Sequence, residues 1–168
     1  MAWSKYIIIL FIAFIFVSCS ISLKMDSGSI NYDLTKTIQI ADFPNRKPFY
    51  SPMAPIFNQA LRKRFIEQTR LKEVPFNADI ELEGEITNFE ETNLAAKQDG
   101  LASQTRLTIT IHIEYINNKE SGKNLSQNFS ASQDFPSTQT LHDVQDELVK
   151  KIIDEIVDMI YNATVANW

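Results

Sequence analysis

The sequence predicts an α+β fold: a two-layer α/β sandwich whose mixed four-stranded sheet carries two helices on one face. Three observations point there. The segment from Gln104 to Ile116 alternates cleanly, with Leu107, Ile109, Ile111, Ile113 and Tyr115 on one side. Arg106, Thr108, Thr110, His112 and Glu114 fall on the other, so this is a half-buried strand. Two segments carry helical apolar stripes that can cover the apolar side, in the order strand, helix, three strands, helix. No segment is left over for the polar side, which is therefore wet or offered to a partner. The length of 168 residues, with 44% hydrophobic and 22% charged, fits one globular domain.

The chain begins with an apolar run, Ile7 to Val17, behind Lys5 and ahead of Ser18-Cys19. As a helix that run rises about 16 Å, short of a hydrocarbon core of about 30 Å, and it has the form of a secretory signal. Cys19 is the only cysteine, which excludes an intramolecular disulfide and a thiolate metal cluster. Residues 1–18 are expected to be a signal peptide and 19–36 a lipidated N-terminus and polar tether, with Ile30 and Tyr32 pinning a short extended piece. Removing 1–18 takes away only Lys5, so the remaining domain is a little more acidic than the whole chain's net charge of −5. That balance argues against general nucleic-acid binding.

A single domain is expected over 37–168. Thr37 to Asp42 alternates around Ile38 and Ile40 and gives the first strand, which Phe43-Pro44 ends. Pro44, Pro48, Pro52 and Pro55 delay the helix. Pro55 suits its first position, with Ser51-Pro52 a competing start. Ile56, Phe57, Ala60, Leu61, Phe65 and Ile66 then form a stripe ending near Thr69. Ala78 to Phe89 is the second strand, with Ile80, Leu82 and Ile86 inward and Gly84 in the same register. A bulge near Thr87-Asn88 returns Phe89 to the core side. Glu90 to Ser103 is expected to be a long connection. After Gln104 to Ile116, a turn at Asn117 to Lys123 leads to a weaker edge strand, Asn124 to Ser132, with Leu125, Phe129 and Ala131 inward. Thr140 and Asp143 approximate a capping box. Leu141, Val144, Leu148, Ile152, Ile156, Met159, Ile160 and Ala163 line the last helix, with Asp146–Lys150 and Glu147–Lys151 as favourable pairs.

No catalytic constellation stands out. Asp79, Glu81, Glu83 and Glu85 project from one strand face with i,i+2 neighbours roughly 6.5–7 Å apart, but the plain reading is a solvated face that keeps the sheet soluble. His112 and His142 are too few for a zinc set and lack H-E-x-x-H spacing. The glycines at 28, 84, 100 and 122 form no phosphate-binding loop. No catalytic residue, metal ligand or cofactor is expected. The strongest basic group is Arg62, Lys63 and Arg64, with Arg70 and Lys72 just beyond; it can meet lipid phosphates or an acidic surface, or be an ordinary solvated helix face. Lys97 and Arg106, flanking the long connection, are a second candidate for anionic contact.

Phe16-Val17-Ser18-Cys19 resembles a bacterial lipobox, in which the cysteine is diacylated on sulfur before cleavage and becomes the mature N-terminus. Phe16 departs from the commoner leucine. Further strings resemble the LptE family of lipopolysaccharide-assembly lipoproteins: Lys36-Thr37-Ile38-Gln39-Ile40 with Phe43-Pro44-Asn45-Arg46, Leu82-Glu83-Gly84-Glu85-Ile86-Thr87, and Arg106-Leu107-Thr108-Ile109-Thr110-Ile111. Asp146-Glu147-Leu148 and the terminal Val165-Ala166-Asn167-Trp168 complete the set. The resemblance implies a non-enzymatic outer-membrane lipoprotein, anchored through acylated Cys19, that plugs the LptD β-barrel, assists its assembly and helps lipopolysaccharide reach the outer leaflet. Its implied partners are that barrel, lipopolysaccharide and the membrane. Of the family's functional residues only the acylated Cys19 carries over. The alternative is a periplasm-facing lipoprotein binding module of another envelope assembly or secretion machine.

Overall fold

Gln104 to Asn117 is the central hairpin strand of the domain, and its inward row of Leu107, Ile109, Ile111 and Ile113 is fully buried. The computed structural model describes residues 30–46, 50–94 and 103–165. In chain order the strands and α-helices are β1 (Thr37–Ile40), α1 (Met53–Gln68), β2 (Lys72–Glu73), β3 (Ile80–Leu94), β4 (Gln104–Asn117), β5 (Leu125–Pro136) and α2 (Leu141–Thr164), with one 3-10 turn, Ser121–Lys123, between β4 and β5. The sheet order is β2-β1-β3-β4-β5, with β1 parallel to both its neighbours and the β3–β4 and β4–β5 pairs antiparallel.

The expected mixed sheet with both helices on one face is present, with one strand more than the periodicity shows. Lys72 and Glu73 are both exposed and carry no apolar alternation, so only the backbone reveals β2. Lys72 N–H donates to Lys36 O at 2.9 Å and Val74 N–H to Ile38 O at 2.9 Å. Two other strands run longer than expected. β3 continues to Leu94, so Glu90–Leu94 is ladder rather than connection, and β5 continues to Pro136, which buries Phe135. The bulge lies where expected: the register shifts between Ile86 and Asn88, and Phe89 then faces Ile109.

The helix α1 takes the earlier start, with Pro52 at its N-cap, and buries Met53, Phe57, Leu61 and Phe65 at i,i+4 spacing. Pro55 then sits in the first turn, where its missing N–H has no intrahelical acceptor to lose. The helix α2 opens with the Thr140–Asp143 capping box and buries Leu148, Val149, Ile152, Ile153, Ile156, Val157 and Ile160. Each such side chain contributes about 1.5–3 kcal/mol on burial. Of the two expected surface pairs on α2, Glu147–Lys151 forms at 2.6 Å, while Asp146 instead accepts the Tyr50 hydroxyl. The helices meet where Phe65 packs edge-on against Tyr161 at 5.7 Å and the Tyr161 hydroxyl donates to Gln68 O at 2.9 Å.

Residues 31–35 form a turn rather than the expected short extended piece. Asn31 O accepts Leu34 N–H at 3.1 Å and Thr35 N–H at 2.9 Å, making a turn that leaves Ile30 and Thr35 buried. From this turn the chain enters β1 through a junction on Asp79. One Asp79 carboxylate oxygen accepts the Lys36 amide at 2.8 Å and the Thr37 amide at 3.1 Å, and Lys119 Nζ lies 3.1 Å from the other. Asp79 N–H in turn donates to Thr37 Oγ1 at 2.9 Å. The Lys36 amide above all, helped by Lys119 and Thr37, lowers the Asp79 pKa to about 2.

A carboxyl held lower in the folded than in the unfolded state stabilises the fold above the unfolded value and ceases to do so as pH falls through the folded one. Asp79→Asn is therefore expected to lower stability by about 1–2 kcal/mol at pH 7. Its gap from the parent should close as pH falls from about 4 to about 2. Urea unfolding across that range checks it, and a gap unchanged with pH would show that Asp79 acts only through its shape.

Candidate functional site: the uncovered sheet face

Both described helices pack on the inward face of the sheet, and the outward face of β3, β4 and β5 carries no described element. The register lays its side chains in rows across the three strands: Glu83, Glu114 and Ser126; Glu85, His112 and Asn128; Asn88, Thr110 and Ser130; Glu90, Thr108 and Ser132; Thr92, Arg106 and Asp134. The alternation of β4 dictates this, because every inward branched apolar residue is followed by an outward polar one. The rows bond laterally. His112 Nδ1 lies 2.9 Å from Asn128 Oδ1, and Thr110 Oγ1 donates to Ser130 Oγ at 3.1 Å. Arg106 grips Asp134 through both oxygens at 2.7 and 2.9 Å, and that guanidinium holds the Asp134 carboxyl below the usual range. His112 Nε2 is 3.6 Å from Glu114, and Arg46 is 3.6 Å from Glu85. Only the middle row, Asn88, Thr110 and Ser130, is neutral hydroxyl and amide throughout; the rows on either side carry carboxylates on β3.

Of the other anionic-contact candidates, Arg62, Lys63 and Arg64 lie in the opposite layer, so the structure does not bring them together with Arg106. Arg62 donates to Asp42 at 2.8 Å, Glu73 at 3.1 Å and Ile40 O at 3.0 Å, and so fastens α1 to the end of β1. An open groove of about 700 Å³ beside it is lined by Phe43, Pro44, Asn58 and Gln59 among others. Arg64 pairs with Asp158 at 2.9 Å and lies 4.9 Å over the Tyr161 ring. Lys63 is exposed and makes no ion pair among the described residues. Cys19, Lys97 and 166–168 lie outside the described residues. His112 and His142 sit apart, on the sheet face and in the first turn of α2. No group of three or more His, Cys, Asp or Glu side chains placed to hold a metal occurs among the described residues. No helix among them is long and apolar enough to cross a membrane.

Sequence reasoning missed the positions that fasten the frame beneath this face. Asn58 on α1 accepts the Phe43 amide at 2.9 Å and donates to Phe43 O at 3.4 Å, substituting for a strand neighbour. Gly84, which alternation already places in register with the core, faces the Phe43 ring, a contact with no signal in a single sequence; Asn58 has none beyond its residue type.

The fold and surface define a class: small two-layer α+β domains with one sheet face left open. Solved structures share the fold. The chain matches the rare lipoprotein B of Shewanella oneidensis with a TM-score of 0.53 and 14% identity, over 74% of this chain and 92% of that one. It matches an uncharacterized lipoprotein B of Nitrosomonas europaea with a TM-score of 0.52 and 12% identity, over 79% and 83%. A hypothetical protein of Chlamydia trachomatis matches with a TM-score of 0.51 and 12% identity, over 79% and 99%. At such identities the likeness is one of fold. No curated protein matches by sequence. The family model described as LptE, lipopolysaccharide-assembly, matches residues 35–164, and the chain belongs to that family.

Proposed function

We propose that this chain is the non-catalytic, lipid-anchored component of an outer-membrane lipopolysaccharide translocon, seated in the lumen of an LptD-type β-barrel and assisting its assembly. The family supplies the process, lipopolysaccharide assembly. The observation that supports a barrel seat is the uncovered sheet face. A barrel wide enough to hold a domain has a polar, hydrated interior, and the Thr110, Ser130 and Asn128 groups offer donors and acceptors to such a wall at little desolvation cost. Partner contact through a wide polar surface also accounts for a sheet that no helix covers on that side. For lipopolysaccharide phosphates Lys63 is an exposed cation with no ion pair among the described residues, and Lys97 is a candidate on the sequence alone. Arg62, Arg64 and Arg106 would first have to leave their carboxylates.

Thr110→Arg puts a long side chain in the middle row of the open face without touching the core. It is expected to reduce the barrel recovered with the tagged chain at least tenfold, which corresponds to about 1.4 kcal/mol. The unfolding midpoint should hold within a few degrees. Unchanged recovery would remove this face from the interface, and recovery of a different envelope complex would favour another assembly machine.

A further inference from the structure

Leu34 and Phe76 are two of the large hydrophobic side chains left exposed among the described residues, at 54% and 76%. Both belong to the corner where the chain enters the domain. Leu34 precedes Lys36, whose amide is bonded to Asp79, and Phe76 lies three residues ahead of Asp79. Pro75 and Asn77, the latter at φ 53, hold Phe76 in a tight turn outside the end of β2. The same corner gathers cations. Lys36 and Lys72 are joined through their backbones, Lys119 reaches Asp79, and the Arg70 guanidinium lies 5.8 Å from the Tyr32 ring centroid. Asp33, Glu73 and Asp79 are the carboxylates beside them; Glu73 is taken up by Arg62, and Asp79 is engaged by two backbone amides as well as by Lys119. Lys36, Arg70 and Lys72 are exposed and make no ion pair among the described residues, so this corner presents cations beside exposed apolar side chains on a chain whose net charge is −5.

We infer that this corner rests on the membrane, with Phe76 and Leu34 entering the interface and Lys36, Arg70 and Lys72 meeting the headgroups of anionic glycerophospholipids. The inference rests on the anchoring part of the proposed function. The chain from Cys19 to Ile30 reaches at most about 40 Å when extended, and it attaches at this corner. Of all the domain's surfaces, this one is tethered nearest the bilayer. Basic residues beside an aromatic side chain are the usual composition of a surface-resting segment, and each cation near an anionic surface raises association about fivefold. The opposite end of the sheet, where β3 ends at Leu94, is then directed away from that surface. From Ile80 to Leu94 the strand spans on the order of 45 Å.

The test is photo-crosslinking of the full chain in its own membranes, with Phe76→p-benzoylphenylalanine and, at the far end of β3, Glu91→p-benzoylphenylalanine. Phospholipid adducts are expected at position 76 and are expected to be at least tenfold rarer at position 91. In the Phe76 variant, adding Lys36→Glu and Lys72→Glu should lower the adduct yield at least fivefold. A membrane-bound chain whose position 76 links to lipopolysaccharide, to a barrel protein or to nothing would overturn the inference and leave anchoring intact. Equal lipid adducts at 76 and 91 would do the same. A chain recovered off the membrane with Cys19 unmodified would instead refute the anchoring itself, and the inference with it.

Discussion

Gly84→Ala is expected to lower stability by about 3–5 kcal/mol, a large part of the 5–15 kcal/mol typical of a domain. Gly84 takes φ +157, a conformation that side chains rarely adopt, and holding a non-glycine residue there costs roughly 1–3 kcal/mol. Space adds a second penalty. A Cβ at this position would stand 2.0 Å from His112 O on the neighbouring strand and 2.7 Å from Phe43 Cε1. The Phe43 ring packs edge-on against Phe57 of α1 at 5.2 Å, so it cannot retreat without opening the seam between helix and sheet. Overpacking of this kind costs roughly 1–3 kcal/mol. Urea unfolding of parent and variant checks the sum. The double variant with Phe43→Leu should recover only a minor part, because the clash with His112 O is with backbone. Full recovery would show that the ring, not the strand, sets the requirement for glycine.

On the proposed lipid anchor, Cys19→Ala is expected to leave the chain in the inner membrane with residues 1–18 attached. Lipobox processing acylates the thiol before cleavage, so removing the sulfur blocks both steps, and the apolar run from Ile7 to Val17 stays as the only anchor. The effect is all or none. Each buried methylene contributes about 0.8 kcal/mol, so two acyl chains hold a protein far more firmly than any contact available to the folded domain. Fractionation with intact-mass measurement reads the outcome directly. A variant cut at the same place and found in the outer membrane would show that Cys19 is not the anchor.

The parts of this structure that were legible in the sequence are those where burial and period coincide. β4 alternates because one face is core and the other is open, and the i,i+4 stripe of α1 and the longer stripe of α2 follow from the same cause. Even the bulge could be placed, since Phe89 is out of phase with Ile86. The illegible parts lack that link. β2 and the end of β3 are exposed on both sides and exist through backbone pairing, so their residues carry no periodic mark. Phe135 was lost because Asp134 and Pro136 flank it. The basic stretch of α1 was visible as charge, but its neutralisation was not. Asp42 and Glu73 reach Arg62, and Asp158 reaches Arg64, only through tertiary packing. Gly84 was seen in register with the core, whereas the ring above it comes from a loop four decades of numbering away. The open face was legible as a polar row, and its rows across three strands required the register.

The most direct test of the proposed function is purification of a C-terminally tagged chain from detergent-solubilised outer membranes, with mass spectrometry of its partners and of its own N-terminus. The expected result is a one-to-one complex with a large β-barrel in which acylated Cys19 is the first residue. A chain recovered alone from the inner membrane, with residues 1–18 intact, would contradict both the anchor and the barrel seat.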